Sequence, residues 1–137
     1  MFYKMQLLKE DLLLIRWQAE ALEGYKAQTD YLTDLRAYLD AATQPIYVIS
    51  DLRHGKITDV RILQQLGRLT YHPNFGAGVA FSDDIGAEIY VGVFSRFATR
   101  PKREENVHNS LSKALAYLET FKAGISEGVD WERALAH

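Results

Sequence analysis

The chain contains no cysteine. That absence removes disulfides, thiolate metal sites and cysteine nucleophiles together, and it fits a reducing compartment. A surplus of positive charge is missing as well: 16 lysines and arginines stand against 18 acids, for a formal net charge of −2. Proteins that live on phosphate backbones carry a basic excess, so nucleic acid is not an expected partner. Long apolar runs are absent too. The N-terminal stretch MFYKMQLLKEDLLLIRW is interrupted by Lys9, Glu10 and Asp11, and no small-residue cleavage site follows. It reads as neither a signal peptide nor a membrane span. A cytoplasmic protein without stable membrane insertion is expected.

What is present is the balance of an ordinary globular domain. The 137 residues are 47% hydrophobic and 25% charged, enough for one domain with one core and too few for two. YKMQLL and LLLIRW flank the polar triplet Lys9-Glu10-Asp11 and predict a β-hairpin. From Thr29 or Asp30, either able to cap, Leu32, Leu35, Leu39 and Ala42 fall at helical spacing, and Pro45 closes that helix. IYVIS predicts a strand buried on both faces. Thr58 or Asp59 then caps a second helix with the stripe Val60, Leu63, Leu66 and Leu69, ended by His72-Pro73. GAGVAFS predicts another buried strand, and IGAEIYVGVFSRFA fits strand or helix, with a helix over 85–98 favoured by Ile85, Ile89 and Val93. A short strand near ENVHN precedes a last helix, LSKALAYLETFKA, capped by Ser110 or Asn109, with Leu111, Leu115, Leu118 and Phe121 inward and Gly124 as its stop.

The expected fold class is therefore α/β, with order β-β-α-β-α-β-α-β-α and a mixed sheet covered by helices. Residues 1–124 form the domain. Residues 125–137 form a tail carrying Trp131, expected to dock on the body or on a second copy, which inclines the expectation towards a homodimer.

The junction VISDLRHGKITDVRIL, residues 48–63, carries most of the candidate chemistry. Asp51 ends a strand, and Arg53, His54 and Lys56 follow around Gly55, before Thr58 and Asp59 at a helix start. Ligands of open α/β sheets bind beyond the carboxyl ends of strands, and helix N-termini attract anions. A small anion or a lipid headgroup therefore fits here, against the blander reading of a solvated basic loop. Asp51 suits orienting the loop better than acid–base work. Thr58 is an N-cap or an acceptor of phosphate at a helix N-terminus, and cap preferences favour the first.

Other motifs are weaker. FGAGVAF lacks the third small residue of a dinucleotide fingerprint, and its glycines precede a strand instead of opening a helix. Ser82, Asp83, Asp84 and Glu88 suit a hard cation or a helix cap, and the cap is the commoner arrangement. His54, His72, His108 and His137 have no zinc spacing, and no G-x-S-x-G elbow is present. Tyr90, Phe94 and Phe97 line either a core or an apolar pocket, with Tyr71 and Phe75 nearby in sequence. Arg96, Arg100, Lys102 and Arg103 form a basic loop answered by Glu104 and Glu105. No catalytic residue, metal ligand set or cofactor motif stands out.

The element order, with VISDLRHGKITD at its centre, resembles the STAS domain family, which includes anti-sigma-factor antagonists of bacteria and the cytoplasmic tails of sulfate transporters. The nearer likeness is to the STAS-like branch grouped with lipid-carrying CRAL-TRIO proteins, and it covers roughly residues 1 to 123. Family members carry an apolar strand ending in Asp-Leu, a loop, and Asp-Ser-Ser-Gly at the next helix. Val48, Ile49, Asp51 and Leu52 match the strand end, and Asp59 matches the acid before the phosphorylated serine. The acceptor position itself falls on Val60, followed by Arg61 and Ile62. Valine has no hydroxyl, so the usual phosphorylation switch is absent. The resemblance implies a non-catalytic regulatory domain that binds a protein partner, itself, or both. The alternative is a carrier of a small anion or lipid, and an unrecognised hydrolase ranks third.

Overall fold

The computed structural model describes residues 3–17, 25–53, 60–82 and 107–136. Strands β1 (Tyr3–Lys9) and β2 (Leu12–Trp17) form the expected hairpin about Glu10 and Asp11. Helix α1 (Tyr25–Ala41), strand β3 (Ile46–Asp51), helix α2 (Val60–Leu69) and strand β4 (Phe75–Phe81) follow. Strand β5 (Val107–His108), helix α3 (Leu111–Glu119) and the single-turn helix α4 (Trp131–Ala134) complete the described elements. The strands lie in the order β1-β2-β3-β4-β5, with β1 antiparallel to β2 and every other pair parallel. The expected α/β class with a mixed sheet holds. The helix expected over 85–98, with Tyr90, Phe94 and Phe97, lies outside the described residues.

Period-two alternation decides which side chain serves which layer. Leu13, Ile15 and Trp17 of β2 turn to a cluster with Leu32, Leu35 and Leu39 of α1 and Leu69 of α2. Leu12 and Leu14 turn the other way, onto Ile49, Val79 and Phe81, beneath Ala114 and Leu118 of α3 and beneath Ile125 and Leu135. Leu12, Leu13, Leu14 and Ile15 are fully buried, as a central strand covered on both faces must be. Each such side chain gains about 1.5–3 kcal/mol on leaving water. Tyr3, Trp17 and Tyr31 close one end of the first cluster, with Trp17 and Tyr31 ring centres 4.7 Å apart. Burial raises the phenol pKa of both tyrosines, and for Tyr3 the hydrogen bond it donates to Asp34 adds to the rise.

Two element ends differ from expectation. Helix α1 begins at Tyr25 and not after Thr29 or Asp30, because Tyr25-Lys26-Ala27-Gln28 contains no breaker and Thr and Asp inside a helix cost only a few tenths of a kcal/mol each, roughly. Helix α3 stops at Glu119 instead of running on through Phe121, and Ala114, not Leu115, is its fully buried residue beside Leu118. Glu119 itself ends the helix: its carboxylate accepts from the Gly124 and Ser126 amides at 2.7 and 2.9 Å and from the Ser126 hydroxyl at 2.7 Å. Those bonds hold its carboxyl below the ordinary range. Gly124 and Gly128, at φ +84° and +77°, let the chain turn there.

The end of α1 is capped from elsewhere in the chain. The Asn74 side-chain amide donates to the carbonyls of Leu39 and Ala42, both at 2.9 Å. Asn74 is itself held by its N–H to His72 Nδ1 at 3.0 Å, while His72 Nε2 faces Asp40 at 2.7 Å. Asn74→Leu removes both bonds to the helix end. A loss of about 2 kcal/mol is expected, read as a lower urea midpoint at unchanged slope.

Candidate functional site

Because β2, β3, β4 and β5 run parallel, their carboxyl ends meet at one edge of the sheet. Arg16, Asp51, Ser82 and His108 stand there, at or just beyond the ends of successive strands. Among the described strands the order runs without a reversal. Those strands therefore build no crevice of the kind that doubly wound sheets open at a reversal.

Asp51 is the centre of the cluster, with its side chain only 2% exposed. Arg53 folds back on it. Its Nε and Nη2 reach the two carboxylate oxygens at 2.9 Å each, and its backbone N–H adds a third bond at 3.0 Å. Arg16 Nε lies 3.8 Å from the same carboxylate. The Arg53 guanidinium also sits 5.5 Å over the ring of Phe81. Burial pushes the Asp51 carboxyl upward, but the side-chain and backbone hydrogen bonds from Arg53, with the charges of Arg53 and Arg16, outweigh it. The carboxyl is held below the ordinary range. Leu52 N–H donates to the Phe81 carbonyl at 2.9 Å and Ser82 N–H to the His108 carbonyl at 3.0 Å, which sews the three strand ends together.

The structure thus brings Asp51 and Arg53 into one fork, and that fork commits Arg53 to a carboxylate inside the protein. His54, Lys56, Thr58 and Asp59 lie outside the described residues. Val60, the position of the missing phosphoacceptor, opens α2. Three participants escaped the sequence reading. Arg16 carried a signal, a lone charge in the apolar run LLLIRW. Phe81 looked like core, and the third, the carbonyl of Leu135, is backbone and leaves no trace in sequence.

Leu135 belongs to the tail. Its carbonyl accepts from Arg16 Nη2 at 3.2 Å and from Arg53 Nη2 at 3.4 Å. At the hairpin end of the sheet, Lys9 Nζ donates to the carbonyls of Gly124, Ile125 and Glu127 at 3.0 to 3.2 Å, and Lys122 pairs with the nearly buried Asp11. Trp131 packs on the second cluster and donates from its indole to the Ser126 carbonyl at 3.1 Å. Trp131 therefore packs on the chain's own body.

A shallow open groove of about 220 Å³ runs between α1 and α2, lined by Leu32, Thr33, Arg36, Gln65 and Leu69. It falls below the usual size of a small-molecule pocket. Among the described residues no group of three or more His, Asp or Glu is placed to hold a metal ion, and no helix is long and apolar enough to cross a membrane. The candidate cation ligands Asp83, Asp84 and Glu88 lie outside those residues. Neither a protein-family model nor a curated protein matches this chain.

Proposed function

We propose that this chain is a non-catalytic, STAS-like regulatory domain of the cytoplasm that works by binding another protein through the junction after β3 and the outer face of α2. The observation that carries the proposal is the Asp51–Arg53 fork. Both oxygens of the strand-end carboxylate are committed to the chain's own arginine. The acid that in an enzyme would be poised for proton transfer here fixes the direction in which the chain leaves the sheet. A fixed exit and a helix anchored by Leu66 and Leu69 present Gln64 and Arg68 outward, and Tyr71, in the turn just after the helix, is 56% exposed. Exposed aromatic and arginine side chains beside a shallow groove are the chemistry of protein recognition. With valine at position 60, partner exchange does not depend on phosphorylation there.

Photoreactive side chains placed singly at Gln64, Arg68 and Lys113 test this in the cells that make the protein. Lys113 is an exposed position of α3 and serves as the comparison. A discrete protein adduct is expected from the two α2 positions and not from Lys113. Equal adducts from all three, or none from α2, would remove the proposed surface.

A further inference from the structure

The tail does more than cover apolar surface. It runs the length of β2, from the hairpin end, where Lys9 and Lys122 hold it, to the carboxyl end, where Arg16 and Arg53 hold Leu135. Leu12 to Arg16 spans roughly 13 Å at the usual strand rise. Between these ends, Ile125 and Leu135 are buried in one cluster with Leu12, Leu14 and Ile49. Most of the anchors are cations of the body donating to main-chain carbonyls of the tail, so docking requires a particular backbone shape. The left-handed Gly124 and Gly128 supply it.

The Leu135 carbonyl also meets the fork directly, accepting from Arg53 at 3.4 Å and from the neighbouring Arg16 at 3.2 Å. A carboxylate–guanidinium pair is strong where water is excluded and weak once it is solvated. Asp51 is sealed, but the side chain of Arg53 is still 30% exposed, so what lies over that side decides which regime the pair is in. We propose that residues 120–136 form a strap whose closure keeps water off the Asp51–Arg53 fork and so holds the exit of β3 in its fixed form. Opening the strap at either end loosens that exit. The biological meaning of this coupling rests on the junction being the recognition surface, but the coupling is a property of the fold and is measured without any partner.

The test is amide hydrogen exchange on the full chain, comparing wild type with Lys9→Met. That substitution removes the three-carbonyl anchor at the end of the strap far from Asp51. Exchange is expected to accelerate by about tenfold or more in residues 120–136 and, together with them, at the Leu52 and Arg53 amides, while residues 31–41 of α1 keep their wild-type rates. Acceleration of the strap alone would overturn the proposal, as would an equal acceleration everywhere or no change at all. Should Lys9→Met fail to fold, wild-type exchange under increasing denaturant decides the matter. The strap and the Leu52 and Arg53 amides should open as one unit below the global transition, and separate opening would overturn the coupling.

Discussion

Asp51→Asn is expected to lower stability by about 3 kcal/mol, near the lower end of what removing one partner of a buried ion pair costs. The substitution keeps the shape of the side chain and removes its charge. Arg16, with its side chain 11% exposed, then loses its carboxylate in a place water hardly reaches, whereas Arg53, at 30%, recovers some hydration. That partial exposure is why the lower end applies. The same loss should appear in the wild type as a pH effect. Asp51 has its carboxyl pKa lowered in the folded state. A depressed carboxylate contributes stability that is fully present above the unfolded-state pKa and is lost as pH falls through the folded-state pKa. The gap between wild type and Asp51→Asn should therefore be constant near neutrality and narrow on the acid side of the ordinary carboxylate range. Urea midpoints across that range measure it, and a gap unchanged with pH would deny the carboxylate its role.

Trp17→Ala is expected to cost still more, about 4 kcal/mol, the usual scale for emptying a buried indole site. Trp17 is 2% exposed and its ring lies 5.5 Å from Tyr3 and 4.7 Å from Tyr31. It ends β2 against Tyr31 of α1, so the cavity cannot close without moving the strand or the helix. Trp17→Phe should recover much of the loss, because a ring remains between the two tyrosines. The comparison is made by denaturant unfolding followed through far-ultraviolet dichroism, since removing Trp17 alters the intrinsic fluorescence. A loss under about 1 kcal/mol for Trp17→Ala would mean that the cluster is not the keystone its burial suggests.

The strands were legible because their burial is written in local composition. LLLI in β2 and IYVIS in β3 are apolar on both faces, and that is what a strand covered by two helix layers requires. Ser110 was legible as a cap because the bond it makes, from the Lys113 amide at 3.2 Å, lies three residues away. The contact between Asp51 and Arg53 is equally local, since Arg53 is two positions on. What escaped depends on partners distant in sequence. Arg16 reaches Asp51 only because β2 pairs with β3, and the Arg16–Asp51 pairing is set by strand register. The strap docks by its carbonyls, which every sequence possesses. The early stop of α3 turns on Glu119 reaching forward to Gly124 and Ser126, a choice that competes with continued helix and is invisible to a periodicity count.

The central claim, that this chain acts by presenting a surface and not by enclosing a ligand, is most directly tested by weighing the protein. Full-length protein purified from a bacterial host is measured under native and then denaturing conditions. The expected result is a native mass equal to the polypeptide, or to an assembly of whole polypeptides, with no small component lost on denaturation and no phosphate on Thr58. A small mass that travels with the native protein and vanishes on denaturation would contradict the claim and make the chain a carrier.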